Sequence, residues 1–594
     1  GVSRRLIRGI RMSASCLDVT SAAKLAINYF NGHMDRRSGY PFIWTYLLTD
    51  PPKMSHDGWD TVEVVGRFLE GLVPLRVMTG SEAGVETEIL CRDALARCQR
   101  NDGFIYRPKL SYTVPIADYY DQMSAIQGLV VRFLADRDPV CARVIDANIA
   151  ALGKAVSWDG NEYARFLHVG VKDGRPLDRY DGEVTENDNP EAPDEAWFGR
   201  LIRPALQYAE ATGKEEPLVL ARAVARDIAF RSGRYGEDGS FSRALFGEDS
   251  VWTNGHFHSR ANAVAAILRL ARVAGDKDLF EWAERVFRWA LRHGTSFGWF
   301  PEFVGRRDVE VEGAETCGIV DMFDSAVTLA RAGRNDCWEV ADRIWRNQML
   351  ENQLRDVSWV RATCRKPDTA MEVFDQVPQL ALGGFAGWAG PNDFISDFED
   401  IYFALLDPSQ DHRRSLMGCC SSSGAKGLYL AWHRSVDEGA EVTSVNFTVS
   451  RECPSASIRA WETFDGRIEV RLKTDRSLRV RVPGGVKHDQ VRIAVDDRPK
   501  TPVWEGDFAC LKGLRRGQQV TVRYPLVERT EKVTVGGWDF TTPVEYEVTW
   551  RGNTVVEIGP HGRHCPLYRR KDAFEKEPKD APTDLACPTN EFEY

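Results

Sequence analysis

Two short groups of residues stand apart from the rest of the chain: Glu315-Thr-Cys317 and Cys419-Cys420. Each opens a predicted helix, the second running through Ser423-Gly-Ala-Lys-Gly-Leu-Tyr-Leu-Ala-Trp432. Brought together on neighbouring loops, they offer three thiols and a carboxylate, enough for a tetrahedral metal site. That donor set suits Zn²⁺, because soft sulfur disfavours Mg²⁺ and Ca²⁺. Adjacent cysteines rarely bridge each other, since the ring is strained, so both thiols stay available. No repeated Cys-x-x-Cys spacing supports the site, and on spacing alone buried thiols packing as small hydrophobes are the alternative.

The elements that must position these groups are mostly helical. Four segments share an amphipathic helix, a glycine stop, a short polar turn and a second helix, with the stops at Gly80, Gly213, Gly275 and Gly333. Glycine there supplies the left-handed conformation that ends a helix. A fifth copy, Phe133-Leu-Ala-Asp-Arg-Asp-Pro139, turns on Asp and Pro. The turns recur about every 60 residues, the mark of a helical-hairpin array. A sixth hairpin is expected within 375–432, where Asp400-Ile-Tyr-Phe-Ala-Leu-Leu and the segment after Cys420 look helical. Six such hairpins closing on themselves give an (α/α)6 barrel. An open superhelix is the alternative, but irregular Trp- and Gly-rich loops favour the closed form with a site on one face.

Near residue 435 the period changes to two. Short alternating runs at Glu441–Val449, Arg467–Thr474, Leu478–Val482, Gln490–Val495, Gln518–Tyr524, Val544–Trp550 and Thr554–Ile558 predict a β-sandwich. The expected class is therefore α+β and multidomain: a barrel over 1–434, a sandwich over 435–569, and a polar tail or wrapping segment over 570–594. The sandwich is the surface through which an oligomer could form.

The 594 residues are 43% hydrophobic and 28% charged, with a formal net charge of -10. That profile is globular and argues against general nucleic-acid binding, which needs a basic face. No apolar run is long enough for a membrane span. The basic opening Gly-Val-Ser-Arg-Arg-Leu-Ile-Arg has no apolar stretch after it, so no signal peptide is expected. It begins with Gly1 rather than Met, so a preceding segment could be missing. Thirteen thinly spread cysteines do not form a disulfide framework and suit a reducing cytoplasm. Cys91, Cys98, Cys141, Cys337, Cys364, Cys453 and Cys510 are expected to be small buried hydrophobes. Asp397, Glu399 and Asp400 read as an acidic set at a helix N-terminus.

The order of motifs resembles glycoside hydrolase family 127, the β-L-arabinofuranosidase family. The resemblance runs over most of the chain. It is carried by His56-Asp-Gly-Trp-Asp60 with Arg67-Phe-Leu-Glu-Gly71, Gln99-Arg-Asn-Asp-Gly-Phe-Ile105, and Tyr119-Tyr120 with Gly128-Leu. Trp197-Phe-Gly-Arg-Leu-Ile, Gly255-His-Phe-His258-Ser-Arg-Ala and Leu514-Arg-Arg-Gly-Gln-Gln-Val-Thr-Val-Arg-Tyr-Pro continue it. Glu-x-Cys combined with Cys-Cys is its most specific element. The resemblance implies an (α/α)6 barrel with an appended β-sandwich, and Zn²⁺ held by Glu315, Cys317, Cys419 and Cys420.

It also implies a retaining exo-glycosidase in which Cys419 attacks the anomeric carbon and a nearby glutamate protonates the leaving oxygen. Glu302, 13 residues before Glu315, is the candidate acid, with Glu310 and Glu312 as rivals in a charged run. His258, or the neighbouring His256, matches a histidine that contacts the sugar. Arg200 and Gln122 stand where two other pocket histidines are expected, an altered pocket in which Arg200 would suit an anionic sugar. Trp252, with Trp197, Trp299 and Trp388, could stack on sugar rings or pack in the core. The expected partner is a glycoside or oligosaccharide. Competing functions are a sugar epimerase or polysaccharide lyase on the same toroid, and a non-catalytic carbohydrate-binding protein with a structural zinc.

Overall fold

The computed structural model describes residues 17–177, 196–241, 255–304, 313–397, 413–571 (apart from 463 and 538–541) and 585–594. Trp252, Glu310, Glu312, Glu399, Asp400 and the expected helix that starts at Asp400 lie outside the described residues.

Glycine ends the helices where the sequence places its turns. Gly80, Gly213 and Gly275 are left-handed C-caps, and Gly333 has φ 94°. At the fifth turn Arg137 takes the same conformation, with φ 60°. The helices so delimited are α1 Val19–His33, α2 Glu63–Thr79, α3 Val85–Cys98, α4 Tyr119–Asp136, α5 Pro139–Ala155 and α6 Ile202–Thr212. They continue with α7 Glu216–Phe230, α8 Phe257–Ala274, α9 Lys277–Leu291, α10 Thr316–Arg331, α11 Asp336–Ile344 and α12 Gly418–Arg434.

The even-numbered helices pack in cyclic order. Helix α2 lies on α4, α4 on α6, α6 on α8, α8 on α10 and α10 on α12, and α12 returns to α2. Their faces are buried almost all round, whereas α3, α7 and α9 outside them are one-sided. The α2–α4 crossing is close because Gly66 and Gly128 meet there. A Cβ on Gly128 would stand 2.1 Å from the Gly66 carbonyl oxygen. The helix that accompanies α12 is α1, from the other end of the helical region, which packs on both α12 and α2. The sequence expectation placed the whole sixth pair within 375–432. It missed α1 because that partnership spans most of the chain.

Beyond α12 two sheets face each other across an apolar layer that includes Val445, Val480 and Leu511 from one sheet and Ile458, Ile468, Val470 and Val520 from the other. The first runs Val436–Glu438, Val442–Val445, Arg476–Arg481, Phe508–Leu514 and Val503–Glu505. The second runs Arg451–Glu452, Ala456–Ala460, Arg467–Leu472, Gln519–Arg523, Arg492–Val495 and Arg498–Pro499. Two expected sandwich strands are elsewhere. Val544–Arg551 and Thr554–Gly559 join Glu528–Val535 in a separate three-stranded meander. Its Val548, Trp550, Val555 and Ile558 pack into the apolar core of the helical part. Period-two alternation shows that a strand has a buried face, but not which surface it is buried against.

The last residues are not a solvated tail. Phe592 and Tyr594 are buried among the helices. Of the cysteines expected in the core, Cys98 is half-buried and Cys364 is exposed on a surface loop. No helix among the described residues is long and apolar enough to cross a membrane.

Candidate metal centre and active site

The even-numbered helices direct their first turns to one end of the ring, and the chemistry-bearing residues sit on those turns. Glu315 is the N-cap of α10 and Cys317 is in its first turn. Cys419 and Cys420 are in the first turn of α12. The exposed N–H groups and positive dipole end of such a turn favour a thiolate. Short extended segments bridge above the helices. Glu315 pairs with Trp388, Phe303 pairs with His256, and the Glu302 amide donates to the Gly313 carbonyl at 2.7 Å. Backbone register thus places Glu302, His256, Glu315 and Trp388 over the thiols.

One ligand atom each from Glu315, Cys317, Cys419 and Cys420 falls within 4.8 Å of all the others. The Cys317 and Cys420 sulfurs are 3.7 Å apart, and Cys420 Sγ is 3.6 Å from Glu315 Oε1. A tetrahedron with Zn–S bonds of about 2.3 Å has edges of about 3.8 Å, so the residues fit the ion. Cys317 and Cys420 are buried, and Cys419 alone of the four is partly accessible. Hydrogen bonds from Cys317 and Cys420 draw the Cys419 thiol down to about 6, against the opposing effect of burial.

His256 joins this cluster to the candidate acid. Its Nε2 is 3.1 Å from Glu302 Oε1 and 3.3 Å from Glu315 Oε2. These three residues also bring ligand atoms within 4.8 Å of one another. Burial opposes the imidazolium, but Glu302 and Glu315 raise His256 to about 10. Burial, reinforced by the charge of Glu315, pushes the Glu302 carboxyl up. Trp197 stacks on the His256 ring at 5.0 Å and stands edge-on to Tyr120 at 4.8 Å.

Beneath lies a charged layer in which the sequence reading gave a site role to His258 alone. His258 Nδ1 is 2.6 Å from Asp321 Oδ2, and Asp321 also accepts from Asn262 at 3.1 Å. Arg67 Nη2 donates to His258 Nε2 at 3.3 Å and to Cys317 Sγ at 3.8 Å. Arg67 is held by Glu63 at 3.0 Å and Glu70 at 3.1 Å. The available signal was spacing. Glu63, Arg67 and Glu70 lie on one face of an otherwise apolar helix, and Asp321 is one turn after Cys317.

Of the expected sugar contacts, Arg200 and His258 line a small void with Tyr120, Trp197, Ser259 and Asn262. Arg200 is not a free cation, however. Its Nη2 meets Glu70 Oε2 at 2.5 Å and its Nε meets Ser124 at 2.8 Å. The charge expected to suit an anionic sugar is thus already paired with a carboxylate. The expectation for Gln122 is corrected. Its amide nitrogen donates to the Ile105 and Asp118 carbonyls, and its oxygen accepts from the Ile105 amide and Asn148. That uses the whole amide to clamp a loop, and Gln122 is fully buried. Trp299 is a core strut bonded to the Ala389 carbonyl. Asp397 pairs with Arg413, and the helix start to which it was assigned lies outside the described residues.

Solved structures with a similar fold include glycoside hydrolases. The fold is similar to that of a glycoside hydrolase family 127 β-L-arabinofuranosidase from Geobacillus stearothermophilus T6, with TM-score 0.54 and 14% identity over 83% of this chain and 76% of that one. A second family 127 β-arabinofuranosidase gives TM-score 0.53 and 13% identity, over 91% and 81% of the two chains. A further structure described as a glycoside hydrolase gives 0.54 and 12%, over 88% and 84%. The chain has the fold of these family 127 structures. No protein-family model and no curated protein matches its sequence.

Proposed function

We propose that this chain is a retaining exo-glycoside hydrolase of the family 127 kind. In this reading the cyclic helices are an (α/α)6 barrel, and Cys419 is the nucleophile within a Glu315–Cys317–Cys419–Cys420 zinc site. The observation that carries it is the unequal burial of the four ligands. A purely structural site closes all its positions, whereas Cys419 alone of the four is partly accessible.

Bound Zn²⁺ would keep the cysteine sulfurs as thiolates at neutral pH and reduce their charge. The rest is the work of the chain. Cys419 Sγ attacks the anomeric carbon as the bond to the leaving oxygen breaks, and Glu302 gives that oxygen its proton. The product of this step is a thioglycosyl-enzyme. Water then attacks the same carbon from the opposite face, Glu302 accepts its proton, and the C–S bond breaks, with net retention. A carboxyl raised by burial suits a group that must first donate. His256 orients Glu302 against Glu315, and Trp197 and Tyr120 offer aromatic faces to the sugar. Arg200 is already paired with Glu70, which favours a neutral terminal sugar, such as a β-L-arabinofuranosyl unit, over an acidic one.

Replacing Cys419 by Ser tests the reading. Turnover of a p-nitrophenyl glycoside found by panel screening is expected to fall by about a thousandfold or more. Mass spectrometry of the wild type with a slow substrate should show the glycosyl adduct on the Cys419 peptide. Unchanged turnover in the variant would remove Cys419 from the mechanism.

A further inference from the structure

The segment 586–594 enters the helical ring from the end opposite the thiols. Ala586 lies against Gly80 at the end of α2, and Asn590 reaches the Ala135 carbonyl near the end of α4. Glu591 then pairs with His433 and Arg451, and Glu593 with Arg434. Phe592 stacks on Tyr429 at 5.1 Å and exchanges backbone hydrogen bonds with its hydroxyl. The Glu593 carbonyl accepts from Gln207 at 2.9 Å. The chain has by then climbed from the ends of the helices to their middles. Tyr594 is 1% exposed, and Arg203 and Lys426 lie 5.8 and 5.6 Å from the centre of its ring.

The Tyr594 hydroxyl donates to Glu70 Oε1 at 2.9 Å. The other oxygen of Glu70 accepts from Arg67 and Arg200. Arg67 in turn donates to Cys317 Sγ and His258 Nε2. An unbroken line of hydrogen bonds thus joins the segment to the candidate metal centre: Tyr594, Glu70, Arg67, then Cys317 and His258. Donors to a ligating sulfur tune the charge it presents to the metal, and their own partners fix where they point.

We infer that Tyr594 is a positioning residue: its hydroxyl fixes Glu70, and through Glu70 it sets Arg67 against Cys317 and His258. The inference takes the four-ligand site proposed above as given, but it does not depend on which glycoside is cleaved.

Tyr594→Phe keeps the ring and removes only the hydroxyl, and Tyr594→Ala empties the position. Three readouts apply to the full chain: kinetics of the zinc-loaded protein, the cobalt–thiolate charge-transfer band after Co²⁺ substitution, and the ¹⁵N shift of His258 Nε2 in histidine-labelled protein. Tyr594→Phe is expected to keep its zinc and melting temperature, lose about tenfold in kcat with little change in KM, and shift both the cobalt band and the His258 resonance. Tyr594→Ala should show the same spectral changes and also melt lower. Wild-type spectra in both variants, with a lower melting temperature in Tyr594→Ala only, would make the segment a structural plug and overturn the inference. If wild type shows no cobalt band, the metal reading fails instead, and the His258 shift still decides the role of Tyr594.

Discussion

The layer between the two sheets and the interior of the helical ring solve the burial problem in opposite ways. Between the sheets lie mostly Val, Ile, Leu and Ala side chains, which need nothing but contact. Inside the ring, Glu70, Arg67, Arg200, Asp321, His258 and Lys426 are all buried, and their ionic partners come mostly from one another. A buried charge is tolerable only when paired and hydrogen-bonded. The sheets can therefore lose single methyl groups gradually, whereas the ring fails when one member of a pair is removed. Polarity on this scale is costly, and it is concentrated where the chemistry is proposed to occur.

The comparison can be broken most severely at the metal ligands. Cys420→Ala should abolish stoichiometric zinc and lower the melting temperature, because ligand binding energy is also folding energy. Metal analysis with thermal unfolding checks this, and full zinc occupancy in the variant would exclude Cys420 as a ligand. Next in size is Glu70→Ala. It leaves Arg67 and Arg200 without their shared carboxylate and is expected to cost about 3–5 kcal/mol in denaturant unfolding. Ile468→Val, in the sheets, should cost only about 0.5–1.5 kcal/mol. It should leave kcat unchanged, since nothing near it belongs to the proposed site.

A further effect concerns acid. Burial opposes ionisation of Glu70, but Arg200, Arg67 and Lys426 hold its carboxyl well below the usual range. A depressed carboxyl adds stability that is complete above its unfolded value of about 4.3 and is lost as pH falls toward the folded value. The stability gap between wild type and Glu70→Gln should therefore narrow as pH is lowered from about 6 to about 3. A gap that stays constant would mean that Glu70 is not ionised in the ring.

What could be read from the sequence was what is local or chemically rare. Gly80, Gly213 and Gly275 end helices through their own backbone conformation, so their turns were visible without any partner. Three thiols and a carboxylate at helix starts form an unusual set, so the candidate centre was visible too. Gln122 misled because its type suits a sugar, while its partners at Ile105, Asp118 and Asn148 are set by the fold. The pairing of Arg200 was not legible either, since Glu70 lies 130 positions away in the chain. The meander strands alternate like their sandwich neighbours, and their destination depends on Asn347 and Asp342, which bond Val555 and Asn553. Phe592 and Tyr594 are two aromatics in a polar stretch, too few to set a period.

The pairing of α1 with α12 has a consequence for synthesis. Helix α1 leaves the ribosome about 400 residues ahead of its partner. At roughly 5–20 residues per second the part of its apolar face that meets α12 waits about 20–80 s uncovered. Cys419 and Cys420, the second half of the candidate metal site, are made at the start of that same partner helix. Closing the ring and completing the metal site are thus one late event, and a nascent chain cannot carry the finished centre until its helical region is whole.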